Sequence, residues 1–288
     1  MSRRNRKDSG ATGVLVVDKP AGCTSHDVVD QVRRKLGTRK VGHAGTLDPD
    51  ATGVLVLGVG KGTKLLQFVT GADKKYEGEV VFGVTTDSLD SSGEVTGTYT
   101  MDVSPEQVTD AAQLFVGDIE QIPPMVSAIK IDGKRLHELA REGKEVERPP
   151  RPVTIHSLEL EPTDDPLVYR IAVHCSSGTY IRTLAADIGA ALGGGAHLRN
   201  LRRTAVGRFE VCSARPVADA ELQPLAEMLA HLPTMQVGET IAAQVRNGRS
   251  LGPSSGSGQL AVVDPNGDLL AVYESRDGEF RPVKVLVG

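Results

Sequence analysis

The loop from Gly42 to Thr52 presents a carboxylate in a setting that suits catalysis. Its sequence, GHAGTLDPDAT, places Asp48 directly before Pro49, and a proline keeps the residue before it out of the helical region. The apolar run Val54–Val59 reads as a buried strand that anchors the loop. Because catalytic groups often lie on loops held by a rigid scaffold, we interpret Asp48 as a candidate catalytic carboxylate.

The same loop allows other interpretations. Asp48 can be a turn residue that makes an Asx-type hydrogen bond before Pro49. The segment Asp48–Thr52 also fits the D-x-D-x-T pattern of aspartyl phosphotransferases, although the residues before Asp48 do not form the apolar strand that normally precedes it. The glycines of GVGKGTK lack the spacing and the Gly-Lys-Ser/Thr ending of a phosphate-binding loop.

Length and composition limit the class of protein. A chain of 288 residues can form a large domain and a small one. Cys23, Cys175 and Cys212 are scattered singly, which indicates neither a disulfide framework nor a zinc site. The basic N-terminus is not followed by an apolar segment, and no apolar run is long enough to span a membrane. We therefore expect a cytoplasmic protein.

The distribution of charge is more informative than its sum. The net charge of −4 argues against simple binding of nucleic acid by charge alone. The acid excess lies after Phe209, however, and the residues before it contain basic clusters at 33–40, 74–75 and 199–208. Such clusters are either RNA contacts or solvated faces.

Arg182 is the second candidate for chemistry. The pattern after Gly178 predicts a helix whose buried face carries Ile181 and Leu184, so Arg182 lies near the helix N-terminus. A cation is unfavourable there unless an anion meets it. The position therefore predicts a partner carboxylate.

Three separated stretches resemble one protein family. KPAGCTSHDVV with GHAGTLDPDATGVL, then KKYEGE, then CSSGTYIRTLAADIG with the later LRNLRR, occur in this order. They resemble the motifs of the TruB family of bacterial tRNA pseudouridine synthases. The resemblance covers nearly all of Val14–Phe209.

The resemblance implies a set of site residues. Asp48 is the nucleophile and Arg182 pairs with it. Tyr76 stacks on the target base and is a candidate for proton abstraction from the sugar. Tyr180 packs beside the pocket, and Leu201 forms part of its wall.

Other substrate contacts are expected around this set. His43 is expected to contact RNA near the vacated base position. Lys19 belongs to the Lys-Pro segment that supports the loop and is also counted among the substrate-binding residues, together with Lys64 and Arg202.

The resemblance also implies the architecture, which is an α+β fold. A pseudouridine synthase catalytic domain at 13–230, with a mixed, largely antiparallel central sheet flanked by helices, follows a disordered basic tail at 1–12. A basic insertion at about 121–153 grips the RNA. Residues 233–288 resemble a small, β-rich PUA-type domain, although its acid excess disfavours strong RNA binding of its own.

The implied reaction is isomerisation of uridine 55 in the T-arm of tRNA. It breaks the N1–C1′ bond, turns the base and joins it through C5, and an Asp nucleophile can do this without a cofactor or a metal. We expect tRNA as partner, no membrane, no obligatory protein partner and a monomer. The alternative is a non-catalytic protein that binds or refolds tRNA.

Overall fold

The computed structural model describes residues 9–127, 130–131, 134–135, 146–254 and 257–286. Most of the predicted basic tail, at 1–8, lies outside the described residues. So does much of the predicted insertion, including Arg141 and Lys144.

The described residues form five α-helices and eighteen β-strands. The α-helices are α1 (Ser25–Leu36), α2 (Leu66–Thr70), α3 (Pro105–Gln113), α4 (Ile181–Ala191) and α5 (Glu239–Arg246). The first strands are β1 (Gly13–Lys19), β2 (Val41–His43), β3 (Thr52–Val59), β4 (Lys74–Phe82), β5 (Val84–Thr86), β6 (Val95–Thr98), β7 (Gly117–Gln121), β8 (Lys130–Ile131) and β9 (Lys134–Arg135). The remaining strands are β10 (Arg151–Pro162), β11 (Val168–Cys175), β12 (Ala196–Val206), β13 (Phe209–Glu210), β14 (Thr234–Gln236), β15 (Leu251–Pro253), β16 (Gly258–Val263), β17 (Leu269–Arg276) and β18 (Glu279–Val285).

A mixed sheet forms the centre of the molecule. Among the described residues it has nine strands in the order β1-β3-β12-β4-β11-β10-β7, with β2 paired to β3 and β13 paired to β12. Every pairing is antiparallel except that of β12 with β3, which is parallel. The predicted α+β fold with a largely antiparallel sheet is therefore confirmed.

The helices cover this sheet with apolar faces at helical spacing. Val28, Val29 and Val32 of α1 are buried against β1 and β3, while α3 and α4 pack against β4, β10 and β11. Thr24 caps α1 through a capping box with Asp27, which satisfies two backbone donors at the helix end. No helix in the described part of the chain is long and apolar enough to cross a membrane.

The C-terminal strands form a second sheet. Its order is β14-β16-β17-β18-β15, and it packs on the central unit through Ala261, Val272 and Leu286. The β16–β17 connection is a tight turn that contains Asn266-Gly267, a pair typical of hairpins, and in it the Asp264 carboxylate accepts the Asn266 and Asp268 amides.

The structure corrects two sequence-based boundaries. Alternation over Glu79–Val84 predicts a strand there, but the strand begins at Lys74 and ends at Phe82, because Gly83 has a φ of 85° that breaks the ladder. The apolar pattern at 283–287 predicts the last strand there, but that strand begins at Glu279.

Candidate active site

The structure brings Asp48 and Arg182 together. Asp48 lies in the loop between β2 and β3, and Arg182 is the second residue of α4. The Arg182 Nε lies 3.1 Å from the Asp48 Oδ2, and the guanidinium is buried whereas the carboxylate is 38% exposed. The cation near the helix N-terminus therefore has the carboxylate partner that its position predicts.

Further acceptors fix the orientation of Arg182. Its Nη1 lies 3.3 Å from the Asp90 Oδ2 and donates to the Ser88 carbonyl at 2.8 Å. Its Nη2 donates to the Val126 carbonyl at 2.8 Å. Because each nitrogen of the planar guanidinium has an acceptor, Arg182 presents a fixed donor to Asp48.

Two opposing effects set the pKa of Asp48. Burial raises it above its ordinary value and is the larger effect, with Asp90 acting in the same sense. Arg182 lowers it but does not reverse the shift. Asp48 is thus a more basic carboxylate than one in water.

Lys19 and Ser25 hold the Asp48 loop from beneath. Lys19 is fully buried, and its Nζ donates to the carbonyls of Pro20 (2.9 Å), Cys23 (2.6 Å) and Pro49 (2.9 Å). The Ser25 hydroxyl accepts the Leu47 amide at 2.8 Å and donates to the Leu47 carbonyl at 3.1 Å. The buried position of Lys19 agrees with its supporting role, and its predicted substrate contact stays a prediction.

Arg203 holds the same loop from β12. Its side chain is fully buried, with Nε donating to the Val54 carbonyl at 2.8 Å. Nη1 donates to the Thr46 carbonyl at 3.3 Å, and Nη2 donates to the Gly45 carbonyl at 3.1 Å. The position of Asp48 therefore depends on a cation in the core.

We expect Arg203→Met to lower the free energy of unfolding by about 3 kcal/mol, because it removes charged hydrogen bonds and leaves buried carbonyls unpaired. Arg202→Met on the same strand is the matched control. Arg202 is partly exposed and paired with Asp18, so the expected loss is about 0.5 kcal/mol. Urea denaturation measures both, and equal losses would contradict the assigned role of Arg203.

A cavity of about 430 Å³ opens beside Asp48. Tyr76, Tyr180, Arg182 and Leu201 line it together with Asp48. The structure thus brings together all five residues of the predicted site set, from the loop after β2, β4, the residue before α4, α4 itself and β12.

Tyr76 contributes a neutral ring to this cavity. Burial raises the pKa of its phenol, against a smaller lowering by Arg203. A phenol that stays protonated at neutral pH is suited to stacking on a base. Because only the ionised phenol can accept a proton, the raised pKa argues against proton abstraction from the sugar by Tyr76.

Lys74 is a lining residue that the sequence analysis did not assign to the site. It is buried, and its Nζ donates to the carbonyls of Ala72 at 2.7 Å and Thr70 at 3.0 Å. Burial lowers its pKa to about 8, with Arg203 acting in the same sense. Alternation with Tyr76 along β4 was the sequence signal that placed both on one face.

The other predicted contact residues lie outside the cavity lining. His43 ends β2, its Nδ1 is buried without a hydrogen-bond partner among the described residues, and burial lowers its pKa. Lys64 donates to the Val285 carbonyl at 3.4 Å. Arg202 makes a bidentate pair with Asp18 at 3.1 and 2.8 Å. Their substrate contacts stay predictions.

Asp90 and Gln121 are site residues that sequence reasoning missed. Asp90 contacts Arg182 and accepts the hydroxyl of Ser88 at 2.7 Å. Gln121 is buried and clamps the backbone of Tyr180, accepting its amide at 3.0 Å and donating to its carbonyl at 3.3 Å. Neither carries a local signal, since both contacts join distant parts of the chain.

Three family models match consecutive parts of the chain, from residue 33 to residue 287. Residues 33–181 match the TruB family pseudouridylate synthase N-terminal domain. Residues 182–232 match the tRNA pseudouridylate synthase B C-terminal domain, and residues 232–287 match the tRNA pseudouridine synthase II C-terminal model. The match over more than half of the chain makes the aspartyl phosphotransferase interpretation wrong.

Named relatives and a solved structure agree with these matches. A tRNA pseudouridine synthase B of Corynebacterium jeikeium is 45% identical over 95% of this chain and 94% of its own length. The tRNA pseudouridine synthase B of Geobacillus thermodenitrificans is 42% identical over 95% of this chain and 99% of its own length. A chain in a Cbf5-Nop10-Gar1 complex has the same fold, with a TM-score of 0.75 at 24% identity, over 100% of this chain and 91% of the other. The chain therefore belongs to the TruB family of pseudouridylate synthases.

Proposed function

We propose that this protein converts uridine 55 in the T-arm of tRNA to pseudouridine, with Asp48 as the nucleophile. The observation that carries the proposal is the contact of 3.1 Å between Asp48 and the buried Arg182 at the wall of a cavity. The named relatives, which are tRNA pseudouridine synthases B, support tRNA as the substrate.

Asp48 is placed to act on a single nucleotide. It is the partly exposed member of a pair whose cation is buried, so the carboxylate faces the cavity and the guanidinium faces the protein. The volume lies within the range of roughly 300–1,000 Å³ typical of small-ligand sites, which suits one nucleotide and excludes a duplex. The target must therefore leave the helix before it reacts.

The reaction conserves atoms and electrons. The N1–C1′ bond breaks, the base turns and a C5–C1′ bond forms, while the proton of C5 passes to solvent and N1 takes up a proton. Asp48 adds to C1′ or C6, or assists elimination from the sugar. The raised pKa of Asp48 makes its ionised form more nucleophilic than an ordinary carboxylate, provided that the pH stays above that pKa.

Tyr76 and its neighbours would hold the extruded base. Flipping a nucleotide costs a few kcal/mol, and stacking on an aromatic ring returns about 1–3 kcal/mol per base. Tyr76 offers such a ring from the rigid strand β4, and Leu201 provides an apolar wall. We assign Tyr180 to packing beside the base.

The proposal extends to the domains. Residues 13–230 would form the catalytic domain, and 233–288 a PUA-like domain that adds to the tRNA contact. In support, the C-terminal sheet β14-β16-β17-β18-β15 is separate from the central sheet in its pairing. Because its composition is acidic, we expect this domain to help to position the tRNA without binding it strongly.

Mapping the product in an unmodified tRNA transcript tests this function. After incubation with the full chain, carbodiimide treatment and primer extension are expected to show one new pseudouridine, at position 55. A matched transcript with cytidine at position 55 is expected to show none.

The alternative, a protein that only binds or refolds tRNA, predicts a different result. It predicts binding and refolding of the transcript without pseudouridine at any position. Pseudouridine found only at positions other than 55 would contradict the assigned target but would agree with the proposed isomerisation.

A further inference from the structure

A second group of chemically active side chains lies away from the cavity. Asp73 directly precedes β4, His174 is in β11, and His156 is in β10, and these strands are neighbours in the central sheet. The Asp73 Oδ2 lies 3.2 Å from the His156 Nε2 and 4.0 Å from the His174 Nε2. One ligand atom from each residue lies within 4.8 Å of the others.

The backbone holds these residues on the face opposite the core. His174 alternates with the buried Val173 and Cys175, so its ring points away from them. The β10–β11 ladder shifts register between Ile155 and Ser157, which makes His156 the extra residue of a bulge. Bulges redirect side chains, and here the two imidazole rings lie 4.7 Å apart.

We propose that Asp73, His156 and His174 form a binding site for one divalent transition-metal ion, of which zinc is the best probe. Two imidazoles and a carboxylate are a donor set that zinc accepts, at bond lengths of about 2.0–2.2 Å. In a tetrahedral site, donors at that bond length are about 3.4 Å apart. The observed separations of 3.2 and 4.0 Å need only small side-chain rotations to reach it.

The surroundings leave the donors available. Within the described residues, no other hydrogen bond or ion pair involves these three side chains. The side chains of His156 and His174 are 35% and 36% exposed, and that of Asp73 is 48% exposed, so water can complete the coordination. Lys75, the register partner of His174, is exposed and can extend into solvent.

A bound ion would use one nitrogen of each imidazole and one oxygen of the Asp73 carboxylate as ligands. The ion would join the residue before β4 to β10 and β11, next to Lys74 and Gly71 of the cavity wall, and would stabilise that wall without touching the reacting atoms.

Zinc titration of the tag-free, chelator-treated full chain tests the site. Calorimetry is expected to show one equivalent of zinc bound at pH 7.5, and cobalt is expected to give visible d–d absorption. His156→Gln or His174→Gln is expected to weaken zinc binding by about 100-fold or more, because loss of even an outer-shell partner costs about 10–100-fold. His231→Gln, at an exposed histidine outside the group, is the matched control and is expected to bind as the wild type does.

Thermal unfolding gives a readout that is independent of binding heat. Zinc is expected to raise the unfolding midpoint of the wild type and of His231→Gln, and to leave that of His174→Gln unchanged. Absence of saturable binding, or equal affinity in the wild type and both cluster variants, would overturn the proposal. Weaker tRNA binding by those variants with a flat zinc titration would also overturn it and identify a phosphate contact.

Discussion

Asp48→Asn is expected to lower the rate of pseudouridine formation by at least about four orders of magnitude, because it removes the nucleophile while keeping the shape of the side chain. Single-turnover formation of product in tRNA measures the effect. Binding of tRNA, measured separately by filter retention, is expected to stay within about threefold of the wild type, since Asp48 is one carboxylate among many contacts.

Stability measurements separate this loss from unfolding. Because burial raises the pKa of Asp48, the folded protein binds that proton more tightly than the unfolded chain does. Ionisation of Asp48 therefore lowers stability as the pH rises through the raised pKa. The neutral variant escapes that cost and is expected to unfold at the same temperature as the wild type or higher at pH 8. A variant that is inactive and also much less stable would not support a catalytic role.

Arg182→Lys is expected to lower kcat by about 100-fold with little change in KM, since a catalytic group displaced by about 1 Å loses about that much. A single ammonium cannot replace the guanidinium contacts to Asp48, Asp90, Ser88 and Val126. Arg208→Lys is the matched control, because Arg208 forms a partly exposed pair with Glu227. Its kcat is expected to match that of the wild type.

The dependence of kcat on pH separates two effects of Arg182, which are the orientation of Asp48 and the lowering of its pKa. The rate requires ionised Asp48, so it falls as the pH drops through the pKa of Asp48. Arg182 lowers that pKa, and Arg182→Met is therefore expected to move the acid limb of kcat to higher pH. Arg182→Lys keeps the charge and is expected to move it less. Identical acid limbs in the wild type and Arg182→Met would show that Asp48 does not control the profile.

Much of the site could be predicted because its signals are local. The Asp48-Pro49 pair and the strand after it fix the exposed loop, and the N-terminal position of Arg182 demands an anion. The structure supplies that anion at 3.1 Å. Asp90 and Gln121 could not be predicted in this way, because they act across the fold on residues far away in the chain.

The basic cluster at 199–208 shows that a run of charged residues does not by itself identify a binding surface. In the sequence it reads as an RNA-binding patch or a solvated face, and the strand β12 in it was not predicted. In the structure Arg199 pairs with Glu79, Arg202 pairs with Asp18, and Arg203 is buried. Pairing of β12 with strands on both sides overrides the local preference of an arginine-rich segment for the surface.

The spacing of Asp73, His156 and His174 in the sequence also gives no indication that they form a group. Zinc sites are found in sequences by short repeated intervals between ligands, whereas these residues come from two strands and from the residue that precedes a third. Their approach depends on strand order and on one bulge. We therefore expected no metal site from the sequence.

The central claim is that Asp48 carries out the isomerisation. Its most direct test is release of tritium from tRNA transcripts labelled at uridine C5, with chelator present, by the wild type, Asp48→Asn and Asp50→Asn. Asp50 is an exposed carboxylate of the same loop and serves as the matched control. We expect release by the wild type and Asp50→Asn and none by Asp48→Asn. Equal release by the wild type and Asp48→Asn would contradict the account.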